Sequence, residues 1–335
     1  MSHQHLPPLD WGTFLSTWQS RPGWLVVSVL LLVAYVVGVQ RGHRHGGTVG
    51  PIRVACFVLG LVLLMVCLCS AVDAYAMSLF WMHMVEHLTL ITVVPALLVL
   101  GHPLTVLRNA GGDVWRARVD RLLQTGPISW LLHPLLGLTA YGVVVFFTHL
   151  TPFMDKMAMH PSLMTLEQVL YVGSGAWLLL GAIGDEPIRW RTPYLLRIAL
   201  LVMAMVPDTL VGVVLLQTQT DPFPRYMAMR PDWAPGALHD LDVGGSLMWA
   251  GGDGLMMLLA LGVVIALLSR QRDSFLGTWL ESARTGTMVG HVERSGGRLS
   301  LDDGASVDDD DAALAAYNDM LRRLGTGGES RSRES

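Results

Sequence analysis

The chain has 335 residues, 52% of them hydrophobic and only 15% charged. Soluble domains carry roughly 25% charged residues, so the composition points away from a soluble globular domain and toward a membrane protein. The net charge of −4 carries no basic excess, and nucleic acid is not expected as a partner.

In chain order, residues 1–22 form a short leader containing "SHQH", and "RPGW" leads into the first apolar run. Seven such runs follow one another at 23–40, 52–71, 80–101, 131–149, 169–184, 194–216 and 245–268. Their lengths suit a bilayer, which needs roughly 17–25 apolar residues per helix. In lipid each span must satisfy its own backbone, so the expected fold is all-α: a polytopic seven-helix bundle occupying 23–270. The first run is followed by the basic "QRGHRHGG" with no small-residue cleavage site, and it reads as a retained span rather than a signal peptide. The connection 102–130 holds an amphipathic helix around "DVWRARVDRLL". Residues 271–335 form a polar tail, mostly disordered, with a short helix near 311–324 in "DDDDAALAAYNDMLRRLG". Cys56, Cys67 and Cys69 share the second run, which argues against a disulfide framework.

Basic residues set the orientation. The segments 41–53, 102–127, 185–197 and 270–284 hold 13 Lys and Arg, and the segments on the other side hold four: Arg21, Lys156, Arg225 and Arg230. The N-terminus is expected outside and the C-terminus in the cytosol of a multi-pass cell-membrane protein.

Soft metal ligands then collect on the outer side. Segments 73–87, 149–168 and 217–249 are a fifth of the chain yet hold 10 of its 18 methionines. Among them stand His149, Met154, Met157, Met159, His160 and Met164, and thioether with imidazole is a donor set that suits Cu(I). The same methionines also serve as ordinary gap-fillers in apolar packing. At the mouth of the third span, "HMVEH" places His83 and His87 on one helix face, four residues apart. Glu86 is rotated by about 100° from His87, beside the pair rather than under it. Spelled H-x-x-E-H, the stretch also fits a zinc-protease signature, with Glu167 or Asp155 as a third acid, or a plain polar helix end. Deeper in the membrane, Asp208 follows Pro207 in the sixth span and Asp253 lies in the seventh. Ionisable groups there mark either structural hydrogen bonding or a functional route.

"HMVEHLTLITVVPALLVLGHPL" at 83–104 resembles the signature of the CtaG family of cytochrome c oxidase assembly factors, seven-span proteins of bacterial membranes. "HLTPFMD" at 149–155, "LEQVLYVGSGAWLLLGAIGDEP" at 166–187 and "DLDVGGSLMWAGGD" at 240–253 extend the resemblance, and the tail is similar to those of actinobacterial members. The resemblance implies a non-enzymatic role in maturing a haem–copper oxidase, with copper bound or delivered at the outer face. The expected partners are oxidase subunits, the lipid bilayer and copper chaperones. It maps the family's histidine pair onto His83 and His87, a further histidine onto His149, and a nearby acid onto Asp155. Where family members often have H-x-x-E-H at the start of the fifth span, this chain has Met164, Glu167 and Gln168. The expected ligands are His83, His87 and His149, with Met154, Met157, Met159, His160 and Met164 as capture ligands. Glu86, Asp155, Glu167, Asp208 and Asp253 are supporting polar groups. A zinc metalloenzyme built on His83, Glu86 and His87, and a metal-free scaffold, stand as alternatives.

Overall fold

A computed structural model describes residues 6–269, which are helical with no strand among them. The expected tail helix near 311–324 lies outside the described residues. Of the described residues, those up to Val264 cluster as one compact unit.

Six helical stretches are long and apolar enough to cross a membrane: Pro22–Arg44, Pro51–Cys69, Phe80–Asn109, Ser162–Ala182, Tyr194–Gln217 and Ala237–Ser269. A seventh arises if Pro134–His149 and Phe153–Met159, bent by 67° across a short break, count as one span. In chain order the helices are α1 (Trp11–Ser16), α2 (Pro22–Arg44), α3 (Pro51–Cys69), α4 (Ala71–Ala76), α5 (Phe80–Leu88), α6 (Val94–Leu100), α7 (Pro103–Asn109), α8 (Asp113–Gln124) and α9 (Gly126–Leu131). Then follow α10 (Pro134–His149), α11 (Phe153–Met159), α12 (Pro161–Ala182), α13 (Tyr194–Gln217), α14 (Pro224–Met227) and α15 (Ala237–Ser246), and α16 over 252–269. The amphipathic connection expected after residue 102 is α8.

The third span is the hub. Its apolar window is 56% buried, against 17% for α2. Outward-facing Leu25, Leu30, Val62, Phe147, Val202, Leu210 and Leu261 are exposed and form the apolar surface that lipid covers. Small residues let the helices approach. Gly212 of α13 and Gly245 of α15 pack backbone to backbone, such that a Cβ on Gly212 would lie 2.8 Å from the Gly245 carbonyl oxygen.

Between α5 and α6 the chain makes a π turn, Thr89–Val93. Its cause is local: Pro95 has no N–H for the Ile91 carbonyl four residues back, and its ring crowds that carbonyl, so the helix widens by one residue. Gly175 of α12 fills the approach to this carbonyl. A second π turn, Leu247–Gly251, joins α15 to α16.

Candidate functional site

The site forms where α5, α10 and α12 meet near one end of the bundle. α5 starts without a side-chain cap of its own. Asp240 of α15 supplies one, its carboxylate accepting from the backbone N–H of Phe80 at 2.8 Å and of Trp81 at 3.0 Å. This fixes the first turn of α5 and the direction in which His83 and His87 project.

His83, His87 and His149 are 4%, 0% and 2% exposed. The ring centres of His87 and His149 are 5.0 Å apart, and those of His83 and His149 are 6.3 Å apart. Tyr171 of α12 stands edge-on to His87 at 4.3 Å and stacks on His149 at 6.5 Å. The His149 Nδ1 sits 2.9 Å from the Thr148 hydroxyl and 3.0 Å from the Val145 carbonyl oxygen; Thr148 donates its own proton to the Val144 carbonyl at 2.9 Å, so a proton on Nδ1 satisfies both contacts. That leaves the Nε2 lone pair free, the tautomer a metal ligand requires. Four ring nitrogens are buried without a hydrogen-bond partner: His83 Nε2, both nitrogens of His87, and His149 Nε2. Leaving such a group unpaired costs about 1–3 kcal/mol, so a cluster of four is an unusual burden.

One acid faces the rings. Glu167 Oε1 lies 3.8 Å from His83 Nε2 and accepts from the Tyr171 hydroxyl at 2.9 Å. Glu86 faces elsewhere, accepting from Gln168 Nε2 at 2.8 Å. The same Gln168 nitrogen donates to Asp73 at 3.0 Å, and its oxygen accepts from the Trp24 indole N–H at 3.1 Å. Asp73 in turn pairs with Arg21. Phe80, His83 and Tyr226 enclose the outer edge, with Tyr226 6.2 Å from His83. Burial pushes the Tyr226 phenol well above the usual tyrosine range, reinforced by nearby Asp240, so it stays a neutral donor to the Ala76 carbonyl.

Residues 33–271 match the cytochrome c oxidase caa3 assembly factor family. The chain belongs to that family. Among curated proteins it is 28% identical over 319 residues to an uncharacterized protein of Mycobacterium leprae, a match covering 93% of this chain and 45% of the relative. It is 27% identical over 307 residues to uncharacterized proteins of Mycobacterium bovis and Mycobacterium tuberculosis, covering 88% of this chain and 42% of each relative. The chain thus spans less than half the length of these relatives. No solved structure matches it.

Not every expected ligand of this caa3 assembly factor family member gathers at the rings. Met154 and Met157 are 1% exposed and belong to the apolar core, while Met159 is 60% exposed and His160 is also exposed at the junction of α11 and α12. Met164 sits 4.0 Å from the Arg21 guanidinium rather than at the histidines. Asp155 caps α14, accepting from the Arg225 and Tyr226 amides at 3.1 and 3.3 Å. Asp208 and Asp253 form a separate, deeper group: Asp208 accepts from the Tyr141 hydroxyl at 2.7 Å and Asp253 from that of Thr209 at 2.8 Å. Among the described residues, no three His, Cys, Asp or Glu side chains are arranged to hold a metal ion jointly.

Sequence reasoning missed Tyr171, Arg21, Trp24 and Asp240. Tyr171 carried a usable signal, because it lies four residues after Glu167 and so on the same helix face. Nothing local pointed to Arg21 or Asp240, whose partners are distant in sequence.

Proposed function

We propose that this protein assists maturation of a haem–copper oxidase by binding copper, as Cu(I), at the outer face of the cell membrane, with His87 and His149 as a two-coordinate ligand pair and His83 beside them. The observation that carries this reading is the set of four buried ring nitrogens without hydrogen-bond partners. Imidazole suits copper. Two rings on one ion, with metal–nitrogen bonds of about 2.0 Å, have centres roughly 5–6.4 Å apart. The centres of His87 and His149 and of His83 and His149 are separated by 5.0 and 6.3 Å. Bound copper would supply the cargo for the oxidase; the chain supplies lone pairs, a dry pocket and the outward position. The basic bias of the alternating segments supports that position, and oxidase subunits are the expected recipients.

Glu86 favours binding over hydrolysis. A zinc hydrolase on H-x-x-E-H needs that glutamate at the metal-bound water, whereas here it is committed to Gln168, on the side away from the rings. The test is copper content of protein purified anaerobically. About one Cu(I) per chain is expected, with loss in His87→Ala and His149→Ala and retention in Glu86→Gln. Stoichiometric zinc in place of copper would support the enzyme reading, and full copper in both histidine variants would remove this site.

A further inference from the structure

At the opposite end of α10 from His149, the first turns of α10 and α13 border a cavity of about 560 Å³. His133, Leu135, Arg189, Arg191, Thr192 and Leu196 line it, with the Trp190 indole among them. None of these side chains belongs to the histidine pocket. Arg189 and Arg191 are exposed, and among the described residues neither has an ion-pair partner. The carboxylates next to them in the chain serve other groups. Asp185 accepts from Arg197 at 2.7 Å, and Glu186 accepts from the Leu104 and Thr105 amides at 3.0 and 2.8 Å.

We propose that this cavity binds an anionic phospholipid, its phosphate held by Arg189, Arg191 and Thr192 and its acyl chains lying against Leu135 and Leu196. Basic pockets between the ends of spanning helices suit such headgroups. The inference stands apart from the copper reading.

Arg189 is held ready for a phosphate. Its guanidinium lies over the rings of Trp130 at 5.3 Å and Trp190 at 5.2 Å. Those two rings meet edge to face, and the Trp190 indole N–H donates to the Ser129 carbonyl at 2.6 Å, which fixes the frame. An arginine stacked by its flat face keeps its in-plane N–H groups for an oxyanion, which it can grip with two bonds at once.

Thr192 marks the cavity independently of charge. It is 8% exposed, and its Oγ1 is buried without a hydrogen-bond partner. The Arg197 Nε holds its carbonyl at 2.9 Å, so the backbone is tied while the hydroxyl is left over. An unpaired buried hydroxyl is costly, and a phosphate oxygen would satisfy it. The positive ends of the α10 and α13 dipoles favour the same anion.

The rim decides between a lipid and a free anion. Leu135 and Leu196 are exposed on the first turns of two spans, on the apolar surface that lipid covers. Exposed Trp130 suits the boundary between membrane and water. A cationic head beside an apolar flank matches a phospholipid better than a small ion.

The experiment is native mass spectrometry of the full chain in detergent, titrated with phosphatidylglycerol or with phosphatidylcholine of the same acyl chains. Phosphatidylglycerol should fill one saturable site on the order of tenfold more tightly than phosphatidylcholine. Arg189→Gln and Arg191→Gln should each weaken it roughly fivefold, the loss of one cation near a lipid surface. Thr192→Val keeps the shape and removes the unpaired hydroxyl, so it should weaken binding without lowering the unfolding temperature. Arg44→Gln removes an exposed arginine at the end of α2, outside the cavity, and should leave the affinity unchanged. Equal affinity for the two lipids, or a loss in Arg44→Gln as large as in Arg189→Gln and Arg191→Gln, would overturn the site. Displacement of phosphatidylglycerol by inorganic phosphate at equal concentration would overturn the lipid assignment.

Discussion

Gly175 packs directly on the carbonyl of Ile91, with no space between α12 and the π turn for even one carbon. The contact joins the two elements that carry the site: α12 bears Glu167 and Tyr171, and the π turn begins two residues after His87. Alanine at 175 would gain about 1 kcal/mol of helix propensity. It would lose more by driving a Cβ into backbone that cannot move aside, about 3 kcal/mol or more. Gly175→Ala should therefore lower the unfolding temperature in detergent and weaken copper retention together. An unfolding temperature at or above wild type would show that the contact is loose.

Asp240 holds the other end of the site. Its two bonds satisfy amides at the start of α5 that would otherwise be orphaned. Asp240→Ala should cost about 0.5–2 kcal/mol, the usual range for a lost helix N-cap, and Asp240→Asn should recover most of it. Hydrogen–deuterium exchange at Phe80 and Trp81 reads this directly. Faster exchange confined to the first turn of α5 is the expected pattern, and protection equal to wild type would remove Asp240 as the cap.

The Arg108–Asp120 pair ties α7 to α8 and makes a pH prediction. Arg108 donates from Nε at 2.6 Å and from Nη2 at 2.9 Å, and these bonds hold the Asp120 carboxyl below the usual carboxylate range. With the folded value depressed, the contribution is complete above the unfolded value of about 3.9 and disappears as pH falls through the folded value. Both side chains are part exposed, at 35% and 26%, so solvent screening limits the pair to about 1 kcal/mol at most. Asp120→Asn should be slightly less stable than wild type at neutral pH, and the gap should close in strong acid. A gap that widens on acidification would reverse the assignment.

The spans were legible in the sequence because hydropathy is a property of each segment alone. The fifth span shows the limit of that signal. Hydropathy places its start near 169, while the helix begins at Pro161. The extra turns contain Glu167 and Gln168, which lower the hydropathy but are satisfied inside the bundle by Tyr171, Trp24 and Asp73. The meeting of His83 and His87 with His149 was likewise readable, from spacing on one helix and from a shared membrane side. Side-chain direction was not. Met159 and His160 sit in the same short segment as Met154 and Met157, yet the turn of α11 exposes the first pair and sends the second into the core. The π turn at Thr89–Val93 and its glycine partner were not legible, because they depend on α12 arriving at that point.

His87 offers the sharpest separation between a ligand and a packed side chain. It is fully buried, edge-on to Tyr171, and neither ring nitrogen has a hydrogen-bond partner. Replacing a buried, unpartnered polar group with an apolar one of similar size relieves its desolvation penalty, here about 1–3 kcal/mol. His87→Leu should therefore raise the stability of the metal-free protein by about that amount while abolishing copper binding, the trade of stability against function expected at a binding site. Thermal unfolding of metal-free wild type and variant, measured beside anaerobic copper content, tests both halves. If His87→Leu destabilises the metal-free protein, the imidazole makes hydrogen bonds inside the bundle and the argument from unpartnered nitrogens falls. If the variant is stabilised yet keeps its copper, His87 is a buried burden without a ligand role, and the site contracts to His83 and His149.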